Sequence, residues 1–283
     1  MADQMTLSNT STWLPLNDLA RGFNENKAPS SHDLDGRTVT ISDDRGTRIV
    51  HTFNAGAVSW DYQPGTGDTI AAANHTDPCE VFKVDDGLYY AQFQHKHHPT
   101  EAVSLFLDLH SGWALSVIAL LGEKTPEHVA MNHVFVVGRI DESEQNGQPP
   151  TPTNELIGRR VLWEYSHQHA YEHVYISPHW YSWHCLAGPE RGLADTDENS
   201  TWRLRPGIYV FTWREKVIPC GSVTVADHRD LKTMRSHGVL FGESETGEFP
   251  THFTFGAHGQ LLSRTIHPDQ YDPAQNSLTK ADQ

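Results

Sequence analysis

The sequence predicts an all-β protein made of two antiparallel β-barrels in tandem, the product of an internal duplication. Three observations carry that reading. Apolar residues alternate with a period of two in short runs such as "SLFLDL" (104–109), "IYVFTW" (208–213) and "SVTVAD" (222–227), the pattern of strands with one buried face. Turn signals separate the runs: "DDRG" (43–46), "VDDG" (84–87) and "LRPG" (204–207). The chain also repeats itself.

The repeat has four blocks in chain order. "GRTV" at 36–39 returns as "GRRV" at 158–161, and "VSW" ending at Trp60 returns as "YSW" ending at Trp183. "VFKVDDGLYYAQFQ" (81–94) returns as "TWRLRPGIYVFTWR" (201–214), and "VSLFLD" (103–108) as "SVTVAD". The nearly constant offset of roughly 120 residues makes each copy one folding unit. A meander of about eight short strands leaves edges that closure into a barrel removes, and a barrel of that size can enclose one small ligand.

Taken in order, residues 1–30 read as an N-terminal arm whose best helix candidate is "LPLNDLARGF" (14–23). Residues 31–143 form the first barrel, and "EQNGQPPTPTNE" (144–155) reads as a linker, because prolines do not join a sheet ladder. Residues 156–268 form the second barrel, and 269–283 a polar tail.

Composition narrows the function classes. With 21 basic against 36 acidic residues, the chain lacks the basic surface that phosphate backbones require, so nucleic acid is not an expected partner. No apolar run is long enough for a membrane-spanning helix. The first residues lack the basic and apolar regions of a secretory signal, and the three cysteines, Cys79, Cys185 and Cys220, lack metal-ligand spacing. A reduced cytoplasmic protein is the expectation, with its oligomeric state left open and a homodimer as one option.

The stretch "HQHAYEHVYISPHWYSWHC" (167–185) concentrates the candidate chemistry. Read as strands, it puts Tyr171, His173 and Tyr175 on one face, while Tyr181, Trp183 and Cys185 share another. In "GIYVFTWREK", Tyr209, Phe211, Trp213 and Glu215 form a further face. If these faces point inward, the second barrel's lumen holds acids, bases and phenols between aromatic walls, which suits a flat, partly polar ligand. A bulge at "SPHW" would reverse that assignment. In the loop "GPERGLADTD" (188–197), Glu190, Arg191, Asp195 and Asp197 read as an ion-paired network, with Arg191 also placed to bind a carboxylate or phenolate. The matched positions of the first copy, among them Phe53, Trp60, Tyr89, Tyr90 and Phe93, carry fewer acids and bases.

A metal is not expected. His167, His169 and Glu172 approach the HxHxxxE spacing of cupins, but the interval to Glu172 is one residue short and Thr224 stands where a third His would be needed. "HKHH" (95–98), followed by proline, reads as a solvated turn.

The run from "GRRVLWEYSHQHAYEHVY" through "GPERGLADTD", then "GIYVFTWREKVIP" and "RSHGVLFG", resembles the C-terminal domain of the molybdenum cofactor biosynthesis protein F (MoaF) family. The segment around Trp60, with "LYYAQF" and "LFLDLHSG", is similar to that family's N-terminal domain, and together the likeness covers residues 34–265. The resemblance implies a lipocalin-like (calycin) barrel fold, related to that of phenolic acid decarboxylases. Related lipocalin-like proteins of secondary metabolism act as lyases, isomerases or cyclases without a cofactor.

The expected function is therefore a cofactor-independent enzyme that acts on an unsaturated or phenolic small molecule by general acid–base catalysis. His173 and Glu215 are its candidate proton carriers, and Tyr171 and Tyr209 its hydrogen-bond donors. Tyr175, Trp183, Arg191, Phe211 and Trp213 are the candidate ligand contacts. The alternatives are a non-catalytic binding or accessory protein for a small ligand such as a pterin or an amine, and a metal-dependent cupin-like enzyme.

Overall fold

The computed structural model describes residues 13–125, 129–244 and 249–275; residues 1–12 of the arm and 276–283 of the tail lie outside the described residues. Strands β1 (Thr38–Ser42), β2 (Arg48–Asn54), β3 (Ala57–Gln63), β4 (Ala73–Asp85), β5 (Leu88–Gln94), β6 (Glu101–Asp108), β7 (Trp113–Leu121) and β8 (Met131–Ile140) pair in sequence order. β8 returns to β1 through Ile41↔Ile140, which closes the barrel. The second barrel consists of β10 (Arg159–Glu164), β11 (Ala170–Tyr175), β12 (Trp180–Ala187), β13 (Ala194–Arg205), β14 (Ile208–Arg214), β15 (Cys220–Asp227), β16 (Met234–Gly242) and β17 (Thr251–Arg264). It closes where β17 meets β10. Each strand of the first barrel has its counterpart in the second, in the same order.

The turn glycines show why the duplication is readable. Gly87 (φ 66°) and Gly207 (φ 80°) occupy matched positions in the β4–β5 and β13–β14 turns. Only glycine adopts that conformation without a steric penalty, so both copies keep it.

The linker differs from expectation. Thr151–Pro152 forms a two-residue strand, β9, which pairs with the far end of β13 through Trp202↔Pro152. β12 meets β13 only from Ala194 to Glu198, so the remainder of that long strand offers a free edge. A proline is tolerated on such an edge.

The two barrels have different interiors. The first is filled mainly by aliphatic side chains, among them Val39, Ile41, Val103, Leu105 and Leu107. The second is aromatic, with Trp163, Tyr165, Tyr171, Tyr175, Tyr181, Trp183 and Phe211 in its core. Between the barrels, Phe82, Tyr90, Phe106 and Val117 of the first pack on Val210, Val223, Val225 and Val239 of the second. This contact explains why the outward face of β14 is apolar. Arg205 pins the junction, donating to both oxygens of Asp108 at 2.8 and 2.7 Å and to Asp85 at 3.0 Å.

Candidate functional site in the second barrel

β11 and β12 pair directly as Tyr171↔Cys185, His173↔Trp183 and Tyr175↔Tyr181. The "SPHW" turn therefore preserves the alternation; the one irregularity falls at Ala170/Tyr171. Tyr171, His173, Tyr181 and Trp183 point into the lumen, joined by Trp213 of β14 and by Glu215 just beyond its end. They surround a cavity of about 60 Å³.

One wall of that cavity comes from the arm. Helix α1 (Leu16–Leu19) buries Leu16, and Trp13, Leu16, Leu19 and Phe23 all line the space. Trp13 meets Trp183 edge-on with ring centroids 5.6 Å apart, and Phe23 stacks on Tyr165 at 4.3 Å. Polar ties concentrate at the arm's far end, where Asn26 Nδ2 donates to the Glu164 carbonyl at 2.8 Å, the Asn26 N–H to the Tyr165 carbonyl at 3.1 Å, and His167 pairs with Glu25. Within Trp13–Phe23 they include Thr251 to Asn17 and the Leu14 N–H to Glu190. The arm thus precedes the first barrel yet closes the second.

Burial shifts the site's acids and bases toward their neutral forms. Burial depresses His173 to about 3, and its Nδ1 has no hydrogen-bond partner. Glu215 is raised well above the ordinary carboxyl range, first by burial and then by the neighbouring Asp197. Asp197 is raised to about 6 by burial, against the opposing hydrogen bond from Trp183 Nε1 at 2.9 Å. Its second oxygen, Oδ1, has no hydrogen-bond donor. Two buried carboxyls this close oppose each other's ionisation. Glu190 is likewise raised by burial, while Tyr171 Oη donates to it at 2.8 Å and the Leu14 backbone N–H also bonds it.

Oxygens of Asp195, Asp197 and Glu215 lie within 4.8 Å of one another and could hold a cation. Lys216 already supplies one, with Nζ 3.0 Å from Asp195 and 4.0 Å from Asp197. The cupin-like trio does not converge. His167 pairs with Glu25, His169 Nδ1 bonds Ser166 Oγ at 2.8 Å, and Glu172 accepts from Arg160 at 2.8 Å.

Several expected residues fall elsewhere. Tyr209 Oη donates to Glu155 at 2.6 Å, and Tyr209 does not line the cavity. Tyr175 and Phe211 are packed core, with ring centroids 5.0 Å apart, and support His173 from behind. Arg191 is exposed and does not reach the site. The loop network expected around it does not form as such: Glu190 and Asp197 turn inward to Tyr171 and Trp183.

The first barrel carries a variant of the same arrangement that sequence reasoning missed. Trp60 Nε1 donates to Asp77 at 2.9 Å, as Trp183 does to Asp197. His51 faces Trp60 across β2–β3 as His173 faces Trp183, and its Nδ1 is likewise without a partner. His95 occupies the position matching Glu215, with Nδ1 3.2 Å from Asp77, so this part of "HKHH" is no solvated turn. Extending the repeat's offset to the histidines and aspartates would have found these pairs.

Comparisons with known proteins agree with the two-unit architecture. The model of the MoaF N-terminal domain matches residues 11–123, and that of the MoaF C-terminal domain matches residues 150–265. The arm's cavity-lining residues therefore lie within the first match and the rest of the cavity within the second. Protein MoaF of Klebsiella aerogenes is 38% identical over 137 residues, a match that spans 48% of this chain and 50% of that protein. Among solved structures, a putative β-lactamase from Burkholderia vietnamiensis aligns with TM-score 0.33 at 12% identity, over 40% of this chain and 100% of its own. A protein of unknown function from Nostoc punctiforme aligns with TM-score 0.36 at 10% identity, over 79% and 93%. Likenesses that weak carry no functional argument.

Proposed function

The chain belongs to the MoaF family, and from that premise we propose that its second barrel is a cofactor-independent enzyme site that moves protons on a small unsaturated molecule. One observation carries the reading: the buried carboxyls of Asp197 and Glu215 lie with oxygens within 4.8 Å of each other at the edge of an aromatic cavity, where burial raises both and Asp197 raises Glu215 further. In such a pair the protonated member serves as general acid and the ionised member as its base, in a site that excludes water. Glu215 lines the cavity and presents the proton to the ligand; Asp197, behind it, sets the pair's charge. His173 stays neutral and offers its bare Nδ1 as an acceptor that orients the substrate. Among the described residues no lysine or arginine lines the cavity, so isomerisation, dehydration or cyclisation suits it better than decarboxylation, which would require binding a carboxylate.

The test incubates the protein with a small-molecule extract and follows its components by mass spectrometry, with Glu215→Gln and His173→Ala in parallel. We expect a compound consumed by the wild type and consumed by each variant at a rate lower by roughly 10²-fold or more. Thermal unfolding of both variants should stay close to that of the wild type. A compound retained unchanged by all three proteins would make the barrel a binding module and overturn the catalytic reading.

A further inference from the structure

The cavity's polar groups are unbalanced. Glu190 and Glu215 line it and His173 offers an unpartnered nitrogen, so hydrogen-bond acceptors gather there. No lysine or arginine is among the lining residues, and the nearby Lys216 is directed at Asp195. Around these acceptors stand the rings of Tyr171, Trp183 and Trp213. Aromatic faces attract a cation through their quadrupole, most strongly where water is excluded. An anion would instead meet two carboxyl groups with nothing to offset them.

The arm displays the complementary chemistry in place. It brings an N–H donor, that of Leu14, to Glu190, and it sets the Trp13 ring on Trp183. A donor joined to an apolar ring is therefore what the pocket already accepts. The remaining space of about 60 Å³ holds no more than a water or two, whereas small-molecule pockets start at roughly 300 Å³. A ligand must take the place of Trp13–Phe23, a segment held mainly by apolar packing, with polar ties at Leu14 and Asn17.

We propose that this pocket selects an amine bearing an aromatic or branched apolar group, bound as the ammonium ion in exchange for the Trp13–Phe23 segment. The inference rests on reading this cavity as the working site. The ammonium N–H groups bond Glu190, Glu215 and His173 Nδ1, the rings enclose the charge, and the apolar group fills the volume vacated by Leu16 and Leu19. Carboxyl groups raised by burial gain a counter-charge when the ammonium arrives.

Titration calorimetry of the full chain with benzylamine, benzyl alcohol and benzoate tests this, since the three share a ring and differ in charge. Benzylamine should bind at least roughly tenfold more tightly than the alcohol, and benzoate not at all. Glu190→Gln with Glu215→Gln should abolish the amine's advantage and leave the alcohol unaffected. Leu16→Ala with Leu19→Ala, which loosens the arm, should tighten amine binding. If the alcohol or benzoate binds as well as the amine, the ligand class is wrong while the cavity still stands as the site. If no probe binds even with the arm loosened, the cavity is core, and the proposed function falls with the inference.

Discussion

Two buried aspartates at matched positions take a tryptophan N–H and then diverge. Asp77 uses both oxygens: Trp60 and His95 reach Oδ2, and the Lys96 backbone N–H reaches Oδ1 at 2.9 Å. Asp197 leaves Oδ1 bare beside Glu215. An asparagine amide at position 77 would point its donor at another donor, whereas at 197 it could donate to Glu215. Asp77→Asn should therefore destabilise by about 1–3 kcal/mol, while Asp197→Asn should be neutral or stabilising at pH 7. Urea unfolding checks this, and equal losses in both variants would refute it. Little of the contrast was legible beforehand. His173 and Glu215 stood out as polar residues on aromatic strand faces, but Asp197 sat in a run of polar residues that resembled a loop. It became part of a strand because β12 pairs with it and β14 pairs with the strand from Glu198 onward, a decision made by tertiary partners and not by local periodicity.

At the scale of single elements, alternation and turn glycines located most strands, since both are local properties. Contacts between distant strands were not accessible in that way. At the β10–β17 seam, Trp163 lies opposite Gly259, and a Cβ there would approach the indole to 2.4 Å. Trp163 is itself buried, so it has nowhere to retreat. Gly259→Ala should cost about 1–3 kcal/mol through overpacking. The double variant with Trp163→Phe should lose less than the sum of the two single changes. Additive losses in thermal unfolding would show that the ring and the glycine do not interact.

For the molecule as a whole, the buried histidines govern the response to pH. Burial lowers His51, His237 and His252 to about 4, and His133, His173 and His228 to about 3. Each takes up its proton near pH 6.5 when unfolded but not when folded, so acid favours unfolding between those values. The loss approaches about 1.4 kcal/mol per pH unit for each such residue. Asp197 and Glu215 act in the opposite direction: folded Asp197 takes up its proton as pH falls through about 6, and Glu215, also raised, takes up its own earlier than it would in the unfolded chain. Six histidines outweigh that pair. The melting temperature should fall steeply from pH 7 to pH 5, and a flat or rising profile would show that these rings are not dry. The abundance of histidine was plain in the sequence, but its burial was not, since a histidine on a strand face looks the same whether that face meets solvent or core.

The arm's placement bears on how the protein can be divided. By symmetry the proline-rich segment is the natural place to cut, giving two self-similar halves. By assembly it is not, because Trp183, Tyr165 and Phe255 would lose their packing against Trp13 and Phe23. A fragment beginning after that segment would expose the aromatic floor of its own cavity to solvent. The duplicated parts are alike but not interchangeable, and beside the apolar junction they are tied together by a stretch of chain with no counterpart in the repeat.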